Sequence, residues 1–221
     1  MNQDIIHVYF MPGMAANPSI FEHIQLPENQ FKIHWLEWKI PLVNESLTDY
    51  ALRISKFVKH ENPVLIGVSF GGILVQEMSR FVNPSKLIII SSVKSRHELP
   101  RRMRIAKVTK AYKLMPTSIM GNLELMSKLA VGSLMNKRVE LYKKYMSVGD
   151  KRYLDWAIDK VINWSQEEPI ENIIHIHGNK DLVFPYSHVK DCIKVEGGTH
   201  IMVINRFKWF NENLPNIIQE R

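Results

Sequence analysis

One cysteine, Cys192, is all the chain contains, so no internal disulfide is available and a reducing cytoplasm is the expected compartment. The segment Cys192-Ile193-Lys194-Val195 reads as a strand, which makes Cys192 a buried structural thiol. No apolar run approaches the roughly 18 residues of a membrane span. The first residues, Met1-Asn2-Gln3-Asp4-Ile5, lack the basic flank and long apolar core of a secretory signal. No Cys/His group has metal-ligand spacing, and there is no internal repeat or low-complexity segment. Neither a metal nor a cofactor is expected. Acidic residues are scarce in one region: from Lys94 to Arg152 there are 4 Asp/Glu against 15 Lys/Arg, a net of +11. The whole chain carries +7, which leaves 14 basic and 18 acidic residues elsewhere, a net of −4. A basic middle is thus set in a mildly acidic frame.

What is present is ordinary for a globular protein. Of 221 residues, 45% are hydrophobic and 23% charged, which suits one domain with room for an inserted subdomain. Apolar, β-branched runs predict strands at Ile5–Phe10, Phe31–Leu36, Pro63–Val68, Lys86–Ser91, Asn172–His177 and Cys192–Val195. Asn17 or Ser19 can cap a short helix around Ile20–Ile24, and Ser46 with Asp49 has capping-box spacing before a helix reaching Val58. A helix follows the third strand and closes near Asn83-Pro84, and a last helix spans about Val203–Leu214. Strands alternating with helices of this length predict a parallel sheet with right-handed crossovers. Between about Lys94 and Pro169 the periodicity is helical only: Arg101–Leu114, Ile119–Leu134, Val139–Val148 and Lys151–Trp164.

One stretch organises the rest. Gly67-Val68-Ser69-Phe70-Gly71 lies between the run Val64-Leu65-Ile66 and the helix beginning Gly71-Gly72-Ile73. A Gly-x-Ser-x-Gly at a strand-to-helix corner is the pattern of a nucleophile elbow, a strained turn that lifts the serine hydroxyl clear of the sheet. Three fixed letters in five would match by chance in roughly a few per cent of chains this long. A glycine-bearing turn before an ordinary helix is therefore the plainer alternative.

Three further stretches fall just past predicted strands: Pro12-Gly13-Met14, His177-Gly178-Asn179-Lys180-Asp181 and Gly197-Gly198-Thr199-His200. With the elbow, and in the order Ser…Asp…His, they resemble the α/β-hydrolase superfamily nearly end to end. The resemblance implies an α/β-hydrolase fold of about six mostly parallel strands. It implies a core of residues 1–93 and 170–221 and a helical cap of residues 94–169 after the fourth strand. Ser69 would be the nucleophile, His200 its base and Asp181 the carboxylate that orients the imidazole. The N–H groups of Phe70 and Met14 would form the oxyanion hole. Two departures stand out. Pro12-Gly13 replaces the usual His-Gly, and no room precedes Ile5 for the antiparallel hairpin with which the superfamily commonly begins.

Competing residues are few. Most of the nine histidines are read as structural, His177 among them, and His7, His23 and His97 carry no signal. Asp150, Asp155 and Asp191 rival Asp181, but Asp155 falls on a helix face and Asp191 precedes a strand. In the cap, Met103, Met115, Met120, Met126, Met135 and Met146 can pack cap to core or line an adaptable apolar pocket. Arg101, Arg102, Arg104, Lys107 and Lys110 form either a solvated helix face or a patch for an anionic group or surface. No nucleic-acid motif accompanies them. The expected function is hydrolysis of an ester or thioester of a small to medium apolar acid through an acyl-Ser69 intermediate. Acyl transfer or lyase chemistry with the same residues, and ligand binding without turnover, remain the alternatives.

Overall fold

A computed structural model of the protein describes residues 5–114 and 144–220. Six strands form one sheet: β1 (Ile6–Met11), β2 (Phe31–Trp35), β3 (Val64–Val68), β4 (Lys86–Ile90), β5 (Ile174–Gly178) and β6 (Ile193–Val195). All pairings are parallel, in the order β2-β1-β3-β4-β5-β6. Among the described residues the helices are α1 (Leu47–Ser55), α2 (Phe70–Val82), α3 (Arg101–Thr109), α4 (Lys151–Asn163), α5 (Met202–Asn205) and α6 (Phe207–Gln219).

The strand period of two divides the core into two layers. Tyr9, Met11, Leu65, Leu87 and Ile89 pack with α1, α2 and α4 on one side of the sheet. Val8, Phe10, Ile66, Val68, Ile88, Ile90 and Ile176 pack with α5, α6 and the 3-10 turn Pro18–Phe21 on the other. Every residue of β3 is buried, and each fully buried aliphatic side chain there contributes about 1.5–3 kcal/mol. Strand β5 breaks the apolar pattern: Ile174 and Ile176 face one layer, while His175 and His177 are buried on the other.

Local signals set most boundaries. Asn17 caps the 3-10 turn by accepting from Ser19 N–H, and Ser46 accepts from Asp49 N–H at the start of α1. Asn83, in the left-handed region, closes α2. The expected helix Arg101–Leu114 breaks at Lys110, in the left-handed region, into α3 and a 3-10 turn, and two expectations near the C-terminus also need correction. The C-terminal helix runs through Pro215 to Gln219 instead of ending near Leu214. Pro215 loses one backbone bond, and burial of Ile217 and Ile218 on the second layer offsets it. Cys192 lies before β6 and is half-buried, because the chain is still in the turn containing Asp191, whose φ is +44°.

Residues 94–169 supply α3 and α4 within the described part. The expected helix Ile119–Leu134 and the first half of Val139–Val148 fall outside the described residues, with Met115, Met120, Met126 and Met135; in the second half only Lys144 and Tyr145 are helical, so the expected helix does not reach Val148. α4 is amphipathic and joins the core: Tyr153, Leu154, Ala157 and Val161 pack beside α2, and Trp164 Nε1 donates to Glu77 at 3.0 Å. α3 buries none of its residues.

Candidate active site

The turn at Ser69 is built by close backbone approach. Ser69 has φ +53° and ψ −119°, a sparsely populated conformation that costs of order 1–3 kcal/mol and survives only where its surroundings enforce it. Those surroundings are the bond from Ser69 N–H to Ile90 O (2.9 Å) and that from Ser92 Oγ to Ser69 O (2.7 Å). A Cβ on Gly71 would run into the carbonyls of Met11 and Pro12, so only glycine lets the start of α2 lie against the end of β1.

That approach brings the Pro12-Gly13-Met14 loop beside Ser69. Gly13 O accepts from Trp38 Nε1 at 2.8 Å and from Ala16 N–H at 3.1 Å, closing a turn in which Ala15 has φ +62°. In a trans peptide the N–H is directed opposite the carbonyl, so pinning Gly13 O fixes the direction of Met14 N–H. Phe70 N–H is the first of α2, where helix N–H groups lack an intrahelical acceptor. Segment 144–148 and α4 brace the same loop: Val148 N–H donates to Ala15 O (3.0 Å), and Ala15 N–H donates to Tyr153 Oη (3.3 Å). Burial pushes the Tyr153 hydroxyl well above its ordinary pKa, leaving it a neutral partner.

Ser69, His200 and Asp181 come together in one hydrogen-bonded line. His200 Nε2 lies 2.9 Å from Ser69 Oγ, and His200 Nδ1 lies 2.8 Å from Asp181 Oδ2. A carboxylate accepts, so Nδ1 carries the hydrogen and Nε2 is left to accept from the serine. Asp181 is buried, and its Oδ1 accepts from Val183 N–H (2.8 Å) and Phe184 N–H (3.0 Å). Gly178 and Gly198 touch so closely that a Cβ on Gly178 would strike the Gly198 backbone; this contact sets the His200 loop against the end of β5. Two of the three rival aspartates are occupied elsewhere: Asp150 caps α4 through Tyr153 N–H, and Asp155 pairs with Lys151 at 2.5 Å.

A second layer behind Asp181 is absent from the sequence reading. His177 Nε2 donates to Phe184 O (2.9 Å), the residue whose N–H holds Asp181, and His177 Nδ1 accepts from His175 Nε2 (3.0 Å). His177 Nε2 is also 3.7 Å from Asp181 Oδ2. Burial lowers the pKa of both imidazoles, and that of His175 falls well below its ordinary value. The signal for this layer was the alternation of Ile174-His175-Ile176-His177 two strands away from the wholly apolar β3. Two open clefts of about 900 and 880 Å³ lie at the other end of the sheet, lined by residues such as Ser85 and Lys86, remote from Ser69.

The parallel six-stranded sheet flanked by helices, with Ser69 at the turn after β3, is the α/β-hydrolase fold, and solved structures of that fold match nearly the whole chain. The chain is similar to a hydrolase from Pseudomonas aeruginosa PA01 (13% identity, TM-score 0.71, 98% of this chain and 91% of that one). It is similar to an esterase from Exiguobacterium antarcticum (18%, 0.62, 100% and 94%). A third likeness is to a thioesterase of the prodiginine biosynthetic pathway in Streptomyces coelicolor (12%, 0.61, 96% and 85%). No family model matches the chain, and no curated protein matches it. Among the described residues no helix is long and apolar enough to cross a membrane.

Proposed function

We propose that the protein is a serine hydrolase that cleaves an ester or thioester of a small to medium apolar acid. The observation that carries this reading is the line Ser69 Oγ–His200 Nε2 (2.9 Å) and His200 Nδ1–Asp181 Oδ2 (2.8 Å), built on a strained serine. In this mechanism Ser69 Oγ attacks the carbonyl carbon as its proton passes to His200 Nε2. The oxyanion forms against the N–H groups of Met14 and Phe70. The leaving alcohol or thiol takes the proton from His200, acyl-Ser69 remains, and water activated by His200 releases the acid. Asp181 holds the imidazole tautomer and stabilises the imidazolium.

Residues 94–169 act as the cap in this reading. Support comes from the hold of α4 and segment 144–148 on the Met14–Ala15 turn. The apolar preference rests on the surrounding aromatic packing: Trp38 and Phe70 stack at 4.9 Å, Trp156 meets Phe70 at 5.9 Å, and Met14, Met103 and Met146 pack on the same cluster. Of the five basic residues around α3, Arg102 donates to the carbonyls of Leu182 and Val183 and so braces the Asp181 loop. An ester and thioester panel graded by acyl length, run on wild type beside Ser69→Ala, tests the reading. Turnover of a short or medium acyl series that disappears in Ser69→Ala is expected; equal turnover by both proteins would refute it.

A further inference from the structure

A second histidine group lies toward the opposite edge of the sheet. His7 on β1 and His34 on β2 share one face, since the register sets His7 beside Lys32 and Tyr9 beside His34. His60 joins them from the loop between α1 and β3. His7 Nδ1 and His34 Nε2 are 2.9 Å apart, the His7 and His60 rings stack at 3.4 Å, and Tyr9 stacks on His34 at 4.5 Å. One ring nitrogen from each of the three histidines lies within 4.8 Å of the other two. Spacing in the sequence could not reveal this: 27 residues separate His7 from His34.

Crowding disfavours a charge on His7 and His34. Burial and the neighbouring His60 lower the pKa of His7, and burial, His60 and His7 lower that of His34, with Lys32 adding to both. A neutral imidazole is the form that ligates metal, and a tri-imidazole set suits a borderline cation in tetrahedral geometry with water as the fourth ligand. We propose that His7, His34 and His60 bind a first-row divalent cation of the zinc type, tying β1 and β2 to the α1–β3 loop.

The geometry is close to what such an ion needs. Zinc–nitrogen bonds of about 2.0–2.1 Å put tetrahedral ligand nitrogens about 3.3 Å apart. Binding therefore opens the His7–His34 contact by about 0.4 Å and draws His60 inward by at most about 1.5 Å, tilting it off its stack. An outer partner is already present. Tyr9 Oη lies 2.6 Å from His60 Nδ1 and accepts from Lys59 N–H at 3.0 Å, the kind of support that orients a ligating imidazole. Lys32 opposes a cation as it opposes protonation, so the charge on this one side chain holds the affinity down.

Calorimetric titration of zinc into chelator-treated full-length protein is expected to give one site per chain. A 100-fold excess over Kd should raise Tm by about 5–10 °C. His34→Ala and His60→Ala should each lose the site, His200→Ala should keep it, and Lys32→Gln should bind several-fold tighter. Absence of binding by wild type, or unchanged stoichiometry and affinity in His34→Ala, would overturn the proposal. Should those variants fail to fold, cobalt(II) in wild type decides: intense tetrahedral d–d bands support the site, and a weak octahedral spectrum refutes it.

Discussion

The two histidine groups on this sheet differ in one chemical respect. Beyond the C-terminal ends of β3 and β5, His200 has a buried carboxylate on one nitrogen and a serine hydroxyl on the other. Near the start of β1, His7, His34 and His60 have one another and Tyr9, and among the described residues no carboxylate bonds to any of them. A carboxylate fixes which nitrogen carries the hydrogen and favours the charged ring, which makes an imidazole a directed proton carrier. At His7 and His34, burial and the neighbouring rings disfavour the charged form. The two proposals therefore assign one kind of side chain two chemistries according to its partners.

The comparison breaks most sharply at His200. His200→Ala should lower kcat for the best ester by about 10⁴–10⁶-fold, because the serine loses its base. His34→Ala should leave kcat within about twofold, since that ring is remote from the reacting atoms. Steady-state kinetics on the two variants checks both. A comparable loss in each would erase the distinction.

A smaller effect is expected one layer back. His177→Leu removes the donor to Phe184 O and loosens the loop that orients Asp181. It should cost about 10–100-fold in kcat with KM little changed, the pattern of a positioning residue. His177→Gln, which keeps an amide donor, should recover part of the loss. Equal kcat in wild type and His177→Leu would show that the Asp181 loop stands without it.

Stability against pH sharpens the comparison further. His175, His177, His7 and His34 all have folded-state pKa values below the ordinary histidine value. Between that lowered value and about 6.5 the unfolded chain binds more protons, so stability is complete above about 6.5 and is lost as pH falls below it. Denaturant melts from pH 8 to 5 should show this decline. His175→Gln, with an amide able to donate to His177 Nδ1, should flatten the acid side. An unchanged profile in that variant would mean that His175 is not the group being titrated.

The legible parts of the molecule share a local cause. That Ser69, Asp181 and His200 meet was legible because each lies within a few residues of a strand end, near glycines that allow a tight backbone approach. The fold was legible for a similar reason: β1, β3 and β4 are largely apolar runs, and side-chain caps at Asn17 and Ser46 mark helical starts between strands. What escaped depends on contacts between distant segments. The His7–His34–His60 group exists only through strand register and a loop far along the chain. Pro215 reads locally as a stop, yet burial of Ile217 and Ile218 carries α6 past it. The role of His177 depends on Phe184, whose position no local pattern specifies.

Covalent labelling with a fluorophosphonate bears directly on the role of Ser69. Intact mass should rise by one phosphonyl adduct, peptide mapping should place it on Ser69, and Ser69→Ala should remain unlabelled. Equal labelling of wild type and Ser69→Ala, or an adduct mapped to another residue, would contradict the assignment of Ser69 as the nucleophile.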